Sequence, residues 1–138
     1  MQKKNILLSL GTLMLLLFSA FNSEAQNSNQ TQNNSKISSI EIIQFHSEHR
    51  CMTCNKIEEL TKETLKVYSN IPFSLVNVDD KKNEKKVEKF EATGTALFLY
   101  NPKTGKKKDL TEFAFMNASN KDKFIAELKK EINAFLKL

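Results

Sequence analysis

The chain has 138 residues, and its 40% hydrophobic and 27% charged content is typical of one globular domain rather than of a disordered or fibrous protein. Its formal net charge is +5 at pH 7, and it contains no tryptophan. Because basic and aromatic residues do not alternate anywhere in the sequence, this mild positive charge argues against nucleic-acid binding. Serine triads, phosphate-binding loops and dinucleotide fingerprints are also absent from the sequence, so we expect no cofactor.

The chain begins with the three parts of a secretory signal peptide, which we assign to residues 1–25. Lys3 and Lys4 form the basic part and residues 6–18 the apolar part. Ser23 and Ala25 place small side chains at the two positions that a signal peptidase reads. The apolar part is shorter than the roughly 20 residues that cross a bilayer. We therefore expect a secreted, periplasmic protein that does not insert stably into the membrane after cleavage.

After the signal peptide, the sequence predicts a flexible polar tether at residues 26–36 and a folded domain at residues 37–138. The tether has no apolar side chain with which to form a core. The domain opens at residues 37–45 with a β-branched, largely apolar run that is typical of a buried strand. From Cys54 onward the spacing predicts a helix, one face of which is formed by Ile57, Leu60, Thr64 and Tyr68.

Three further elements follow in the middle of the domain. Residues 72–79 alternate between apolar and polar side chains and predict a second strand. Asp79 or Asp80 is suited to cap a lysine-rich helix that is predicted to run to about Ala92. Residues 94–100 predict a third strand.

The last part of the chain is predicted to contain a hairpin and a helix. Residues 101–106 carry proline and glycine at turn positions and lead to a predicted fourth strand at residues 108–115. Ser119, followed by Asp122 three residues later, predicts the start of a final helix. The element order βαβαββα predicts a three-layer α/β fold, in which a mixed four-stranded sheet carries helices on both faces.

The two cysteines of the chain, Cys51 and Cys54, fall where the first strand ends and the first helix begins. The unpaired N–H groups and the dipole of the helix start stabilise a thiolate, and Arg50 adds a positive charge. We therefore expect the pKa of Cys51 to fall from about 8.5 to about 3.5–7.5. Cys54, one turn into the helix, can close a disulfide with Cys51. Because Cys54 is expected to be less exposed, Cys51 would attack and Cys54 would resolve the mixed disulfide.

The motif Arg-Cys-Met-Thr-Cys at residues 50–54, together with the element order, resembles the thioredoxin superfamily over residues 37–138. It is most similar to the small secreted thioredoxin-like proteins of bacteria that carry Arg-Cys-x-x-Cys. The resemblance implies thiol–disulfide exchange with proteins that bear thiols or disulfides, and so possible activity as a thiol–disulfide oxidoreductase. Cys51 matches the nucleophile of the family and Cys54 its resolving thiol. We also expect a monomer.

The sequence departs from thioredoxins at four points. Arg50 stands where thioredoxins have tryptophan, and residues 52–53 are Met-Thr where they have Gly-Pro. Gln44 or Phe45 takes the place of the buried acid on the first strand. No proline matches the cis-proline that faces the cysteines, since residues 94–95 are Gly-Thr. The reduction potential and the direction of electron flow therefore do not carry over from the family.

The histidines leave other interpretations open. His46 and His49, together with Arg50 and Thr95, are expected to modulate the cysteine pair through protons, charge or contact. Alternatively, His46, His49, Cys51 and Cys54 could bind a soft metal, which would make the domain a metal- or partner-binding module without turnover. All four ligands would then come from nine consecutive residues. A third interpretation is a permanent structural disulfide, although so short a loop gains little stability from closure.

Overall fold

The structure is a computed structural model that describes residues 39–138. The predicted signal peptide and tether lie outside the described residues and stay predictions. The described part contains β1 (Glu41–His46), α1 (Met52–Leu65), β2 (Phe73–Asn77), a 3₁₀ turn (Lys81–Asn83), α2 (Glu84–Phe90), β3 (Ala96–Tyr100), β4 (Lys107–Asp109), α3 (Thr111–Asn117) and α4 (Lys121–Phe135). Among these helices, none is long and apolar enough to span a bilayer.

The four strands form one mixed sheet in the order β2-β1-β3-β4. β1 pairs in parallel with β2 and antiparallel with β3, and β3 pairs antiparallel with β4. Near the end of β1, Phe45 is paired with Val76 on one side and with Ala96 on the other. The segment that carries the cysteines therefore leaves the sheet from its central strand. The predicted mixed four-stranded sheet is confirmed.

Alternate side chains of β1 enter two separate apolar clusters, because successive residues of a strand point to opposite faces. The cluster shared with α1, α3 and α4 includes Ile40, Ile42, Ile57, Leu60, Leu97, Leu99, Phe124, Leu128 and Ile132. The cluster on the α2 side contains Ile43, Phe45, Val76, Phe90, Ala92, Phe98 and Tyr100. Helices therefore cover both faces of the sheet, as the sequence predicts.

The predicted fourth strand, residues 108–115, is wrong over most of its length. β4 is limited to Lys107–Asp109, and the chain then turns into α3, Thr111–Asn117. The ladder ends here because the hydroxyl of Thr111 accepts the backbone N–H of Leu97 at 3.1 Å, so that this N–H is not available to a longer strand. One more helix therefore precedes the final helix.

The position of the buried side chains explains why this segment is helical. Leu110, Ala114 and Ala118 are buried and lie four residues apart, which is the spacing of one helix face. A strand would have pointed Glu112 to the same face as Leu110 and Ala114. In the helix Glu112 is exposed. The helical arrangement thus avoids burying a carboxylate.

One predicted helix start is also corrected. α4 is capped by Asn120, whose side-chain oxygen accepts the backbone N–H of Lys123 at 3.1 Å, and Ser119 is exposed outside the helix. An asparagine caps a helix as well as a serine does. α1 starts at Met52 with Cys51 as its N-cap, where the sequence predicts that the helix begins.

The lysine-rich segment starts at one of its two predicted caps but ends earlier than predicted. Asp80 caps it by accepting a backbone N–H at 3.0 Å, and its first residues form a 3₁₀ turn before α2 begins. α2 stops at Phe90 because Glu91 adopts a left-handed conformation with φ of 54°. The predicted extension to Ala92 is therefore absent. The second and third strands are shorter than predicted by a few residues at their ends.

Candidate functional site

The cysteine pair lies where β1 passes into α1. β1 ends at His46, and Cys51 forms the N-cap of α1 in an extended conformation with φ of −75° and ψ of 161°. The loop between them is tied to the end of β2. The carbonyl of His46 accepts the N–H of Val78 at 2.8 Å, and a carboxylate oxygen of Asp79 accepts the N–H of Glu48 at 2.7 Å. These contacts fix the loop that leads to Cys51 beside the ends of β1 and β2.

The sulfur of Cys51 occupies the position of a helix-capping group. Its Sγ accepts the backbone N–H of Cys54 at 3.1 Å, and the two cysteines form a disulfide with their Cα atoms 5.2 Å apart. That N–H belongs to the first turn, where donors have no partner inside the helix and the helix dipole is positive. After reduction, the same N–H is placed to stabilise a thiolate on Cys51.

The two sulfur-bearing residues differ in exposure. Cys51 is exposed, whereas Cys54 has an exposed fraction of 5%. Their neighbour Met52 is 89% exposed at the first position of α1. An incoming sulfur atom can therefore reach Cys51 without a rearrangement of the core, whereas Cys54 is shielded from solvent.

Two polar side chains from the sheet contact Cys54. The hydroxyl of Thr95, just before β3, donates to the Sγ of Cys54 at 3.1 Å. The amide Nε2 of Gln44 in β1 donates to the backbone carbonyl of Cys54 at 2.9 Å. Gln44 is fully buried, and its Oε1 has no hydrogen-bond partner within the described residues. Of the two residues considered for the place of the buried acid, Gln44 lies under the pair, while Phe45 faces the α2 side.

Arg50 is engaged in an ion pair that the sequence analysis did not foresee. Its Nη1 lies 2.5 Å from Oε2 of Glu58, and Nζ of Lys62 lies 2.5 Å from Oε1 of the same carboxylate. The guanidinium of Arg50 is thus paired with a carboxylate, and its effect on Cys51 stays a prediction. One signal was present in the sequence: Glu58 follows Cys54 by four residues and so lies on the same face of α1.

The carboxylate of Glu58 keeps its charge in this arrangement. Its partial burial alone would raise the pKa, but hydrogen bonds from Lys62 and Arg50, together with their charges, lower it by more. The net effect holds the pKa of Glu58 below its ordinary value. The ion pair therefore persists at neutral and mildly acidic pH.

The two histidines lie at the start of the cysteine loop. The half-buried His46 donates from Nδ1 to the carbonyl of Ser47 at 2.9 Å. His49 is exposed, and its carbonyl accepts the hydroxyl of Ser47 at 3.1 Å. Across residues 39–138, no three His, Cys, Asp or Glu side chains are arranged so that they could share a metal ion. With both cysteines in a disulfide, no thiolate ligand is available in this state.

A groove of about 470 Å³ lies next to the site. One wall is the segment from the end of α2 to the start of β3, and the other is formed by Lys107, Asp109 and Thr111. Thr95, which contacts Cys54, is part of the first wall. A side chain at Gly94 would meet no atom within 4 Å, so the space beside this wall is open.

Comparison with known proteins gives fold-level likenesses alone. No family model and no curated protein matches the chain. Thioredoxin O2 from Arabidopsis thaliana in its oxidised state is 19% identical over 51% of this chain and 60% of its own, with a TM-score of 0.43. Thioredoxin f2 from Chlamydomonas reinhardtii is 17% identical over 61% and 82%, with a TM-score of 0.44. A malarial protein is 22% identical over 56% and 93%, with a TM-score of 0.40.

All three TM-scores lie below 0.5, and this chain spans less than two thirds of the Arabidopsis protein. The strand order β2-β1-β3-β4 and a Cys-x-x-Cys pair at the end of the central strand decide the fold. The fold is thioredoxin-like. In the thioredoxin-like arrangement described here, the pair occupies the junction between strand and helix where a thiolate is stabilised.

Proposed function

We propose that this protein is a secreted thiol–disulfide exchange protein in which Cys51 attacks and Cys54 resolves. One observation carries the proposal: the exposed sulfur of Cys51 accepts the N–H of Cys54 at the start of α1, while Cys54 itself is buried. A structural disulfide needs neither the capping position nor the difference in exposure. The proposed partners are proteins that bear thiols or disulfides, and the protein acts on them as a monomer without nucleic acid.

The exchange proceeds in two balanced steps. The thiolate of Cys51 attacks one sulfur of a substrate disulfide, forms a mixed disulfide and releases the other substrate sulfur as a thiolate. The thiolate of Cys54 then attacks the Sγ of Cys51, which forms the internal disulfide and releases the second substrate thiolate. The two protons lost by the cysteines end on the released thiols. The substrate is reduced and the protein is oxidised, and the same steps run in reverse when a reduced substrate meets the internal disulfide.

The surroundings of Cys54 suit the second step. Thr95 donates its hydroxyl to the Sγ of Cys54, and this hydrogen bond strengthens when the sulfur is charged. Gln44 holds the carbonyl of Cys54, which fixes the first turn of α1 against β1. The chain thus places a hydrogen-bond donor at each sulfur, the Cys54 N–H at Cys51 and the Thr95 hydroxyl at Cys54.

A small aromatic disulfide, 5,5′-dithiobis(2-nitrobenzoic acid), tests these roles because each thiolate that it releases is coloured. The reduced wild-type protein should release two equivalents, since Cys54 displaces the second. Cys54→Ser should release one equivalent and keep a stable adduct on Cys51, and the matched control Cys51→Ser should react slowly because Cys54 is buried. Equal rates for the two variants, or an adduct that persists in the wild type, would contradict the proposal.

Secretion is tested separately by following the N-terminus. In a Gram-negative host, the full chain should appear in the periplasm with a mature N-terminus at Gln26, and a chain that starts at Gln26 should stay in the cytoplasm. Peptide sequencing of both fractions measures this. If the product keeps residues 1–25 and is bound to the membrane, these residues are a membrane anchor and not a cleaved signal peptide.

A further inference from the structure

The carboxylate of Glu58 bridges the residue before the cysteine pair and the body of α1. It contacts Arg50 through one oxygen and Lys62 through the other, each at 2.5 Å. Cys54, Glu58 and Lys62 are spaced four residues apart and lie along one row of the helix. The side chain of Glu58 is 15% exposed and that of Arg50 is 24% exposed, so solvent screens this contact less than a surface ion pair.

Without Glu58, the guanidinium of Arg50 would be an unpaired cation on the residue that precedes Cys51. A cation within about 4–6 Å of an ionisable group lowers its pKa by about 1–3 units when it favours the charged form. In the structure this cation is paired with the carboxylate of Glu58. Its Nε and Nη2 are buried without a hydrogen-bond partner among residues 39–138, so the contact of Nη1 with Glu58 is what holds the guanidinium in place.

We propose that Glu58 is a positioning residue that limits how far Arg50 stabilises the Cys51 thiolate. The inference rests on the proposed function, because it concerns the sulfur that is proposed to attack. It also has a chemical consequence. A thiolate of lower basicity is a weaker nucleophile, and reactivity is greatest when the pKa of the thiol is close to the ambient pH. By pairing with Arg50, Glu58 keeps Cys51 nearer that optimum and makes the disulfide less oxidising.

The pH dependence of alkylation by iodoacetamide tests the inference in a Cys54→Ser background, where Cys51 is the single thiol. Glu58→Gln should move the midpoint to lower pH by about half a unit, because Arg50 is released and its charge is partly screened by solvent. Arg50→Gln should move the midpoint to higher pH. Glu59→Gln is the matched control, since Glu59 pairs with Lys56 at 2.9 Å on the exposed side of the same helix, and it should leave the midpoint unchanged.

A double-mutant cycle separates positioning from direct repulsion. If Glu58 acts through Arg50, Glu58→Gln shifts the midpoint by less than half as much when Arg50 is already glutamine. An equal shift in both backgrounds, or the same shift for Glu58→Gln and Glu59→Gln, would overturn the inference. Glu58→Asp keeps the charge and the fold and should give a smaller shift of the same sign, so a poorly folded glutamine variant would not end the test.

The readout also distinguishes this inference from the proposed function. Alkylation needs no exchange partner, so a failure of the aromatic disulfide experiment would reject exchange and leave the midpoint shifts measurable. Conversely, if the protein exchanges disulfides but Glu58→Gln leaves the alkylation midpoint unshifted, the proposed function stands and the role of Glu58 is rejected.

Discussion

The two sulfur atoms of the site, although bonded to each other, have surroundings of opposite character. Cys51 is exposed at the helix start, and its Sγ accepts a hydrogen bond from a backbone N–H. The preceding residue, Arg50, forms an ion pair. Cys54 is buried and accepts hydrogen bonds from two neutral side chains of the sheet, from Thr95 at its Sγ and from Gln44 at its backbone carbonyl. The difference shows that charge is kept at the rim of the site and that the interior relies on hydrogen bonds without charge.

This division follows from the cost of burying charge. An unpaired ion in the interior is far more costly than a hydrogen-bonded neutral group. A charged group below Cys54 would require a partner, and Ile42, the neighbour of Gln44 on the same face of β1, is apolar. The rim can hold Glu58 between two cations because solvent still reaches them.

The largest expected effect is the difference in reactivity between the two thiols. In the reduced protein, limiting iodoacetamide at pH 7 should modify Cys51 on the order of 100-fold faster than Cys54, because the exposed thiol is largely ionised and the buried one is not. Peptide mass spectrometry of the alkylated protein measures the ratio. A ratio near one would remove the distinction between the two sulfurs.

Replacing the neutral group below Cys54 by an acid should have the next largest effect. In Gln44→Glu, burial raises the pKa of the new carboxyl by about two units, so the variant should be about 3 kcal/mol less stable than the wild type at pH 8. The sign follows from linkage: the unfolded chain loses its proton first, so the penalty grows as the pH rises above about 4.

Urea unfolding of the oxidised protein at pH 4 and pH 8 measures this penalty. Gln44→Leu is the matched control. It removes the bond to the Cys54 carbonyl together with the unpaired Oε1, and its change in stability should not depend on pH. If the loss of stability in Gln44→Glu is the same at pH 4 and pH 8, the interior below Cys54 tolerates a charged carboxylate.

Much of this contrast could be predicted from the sequence, because the position of the cysteines is a local property. A buried β-branched run followed by Cys-x-x-Cys and helical spacing is enough to place Cys51 at a helix start. The sequence also leaves only Gln44 and Phe45 as candidates for the position of the buried acid of thioredoxins. The choice between them needed the strand register, since neighbouring residues of β1 face opposite sides of the sheet.

The parts that the sequence did not predict depend on contacts between distant segments. The spacing of Cys54 and Glu58 places them on one face of α1, but pairing of Glu58 with Arg50 also requires the loop after β1 to fold back on this face, which the spacing does not predict. Residues 108–115 follow a predicted hairpin turn, which favours a strand, whereas burial of Leu110 and Ala114 against other helices favours α3. Tertiary packing overrode the local pattern in this segment.

A moderate effect is expected from the donor at the buried sulfur. Thr95→Val keeps the shape of the side chain and removes the hydroxyl that contacts Cys54. Loss of about 1 kcal/mol of stabilisation makes the Cys54 thiolate scarcer but more nucleophilic, so the resolving step should slow about two- to three-fold. Stopped-flow release of the second coloured thiolate measures that step. Thr93→Val, an exposed neighbour on the same loop, should leave the rate unchanged, and equal slowing in both variants would assign the effect to the loop.

The smallest effect is expected from the ion pair at the rim. Because the folded-state pKa of Glu58 is lowered, the pair contributes to stability above the ordinary pKa of a glutamate, and this contribution is lost as the pH falls through the lowered value. Glu58→Gln should therefore be less stable than the wild type at pH 7 by less than about 1 kcal/mol, and the difference should shrink at pH 3. Urea unfolding at both pH values measures it. A difference that grows on acidification would mean that burial, rather than Arg50 and Lys62, dominates the carboxylate, and the rim would then resemble the interior around Cys54.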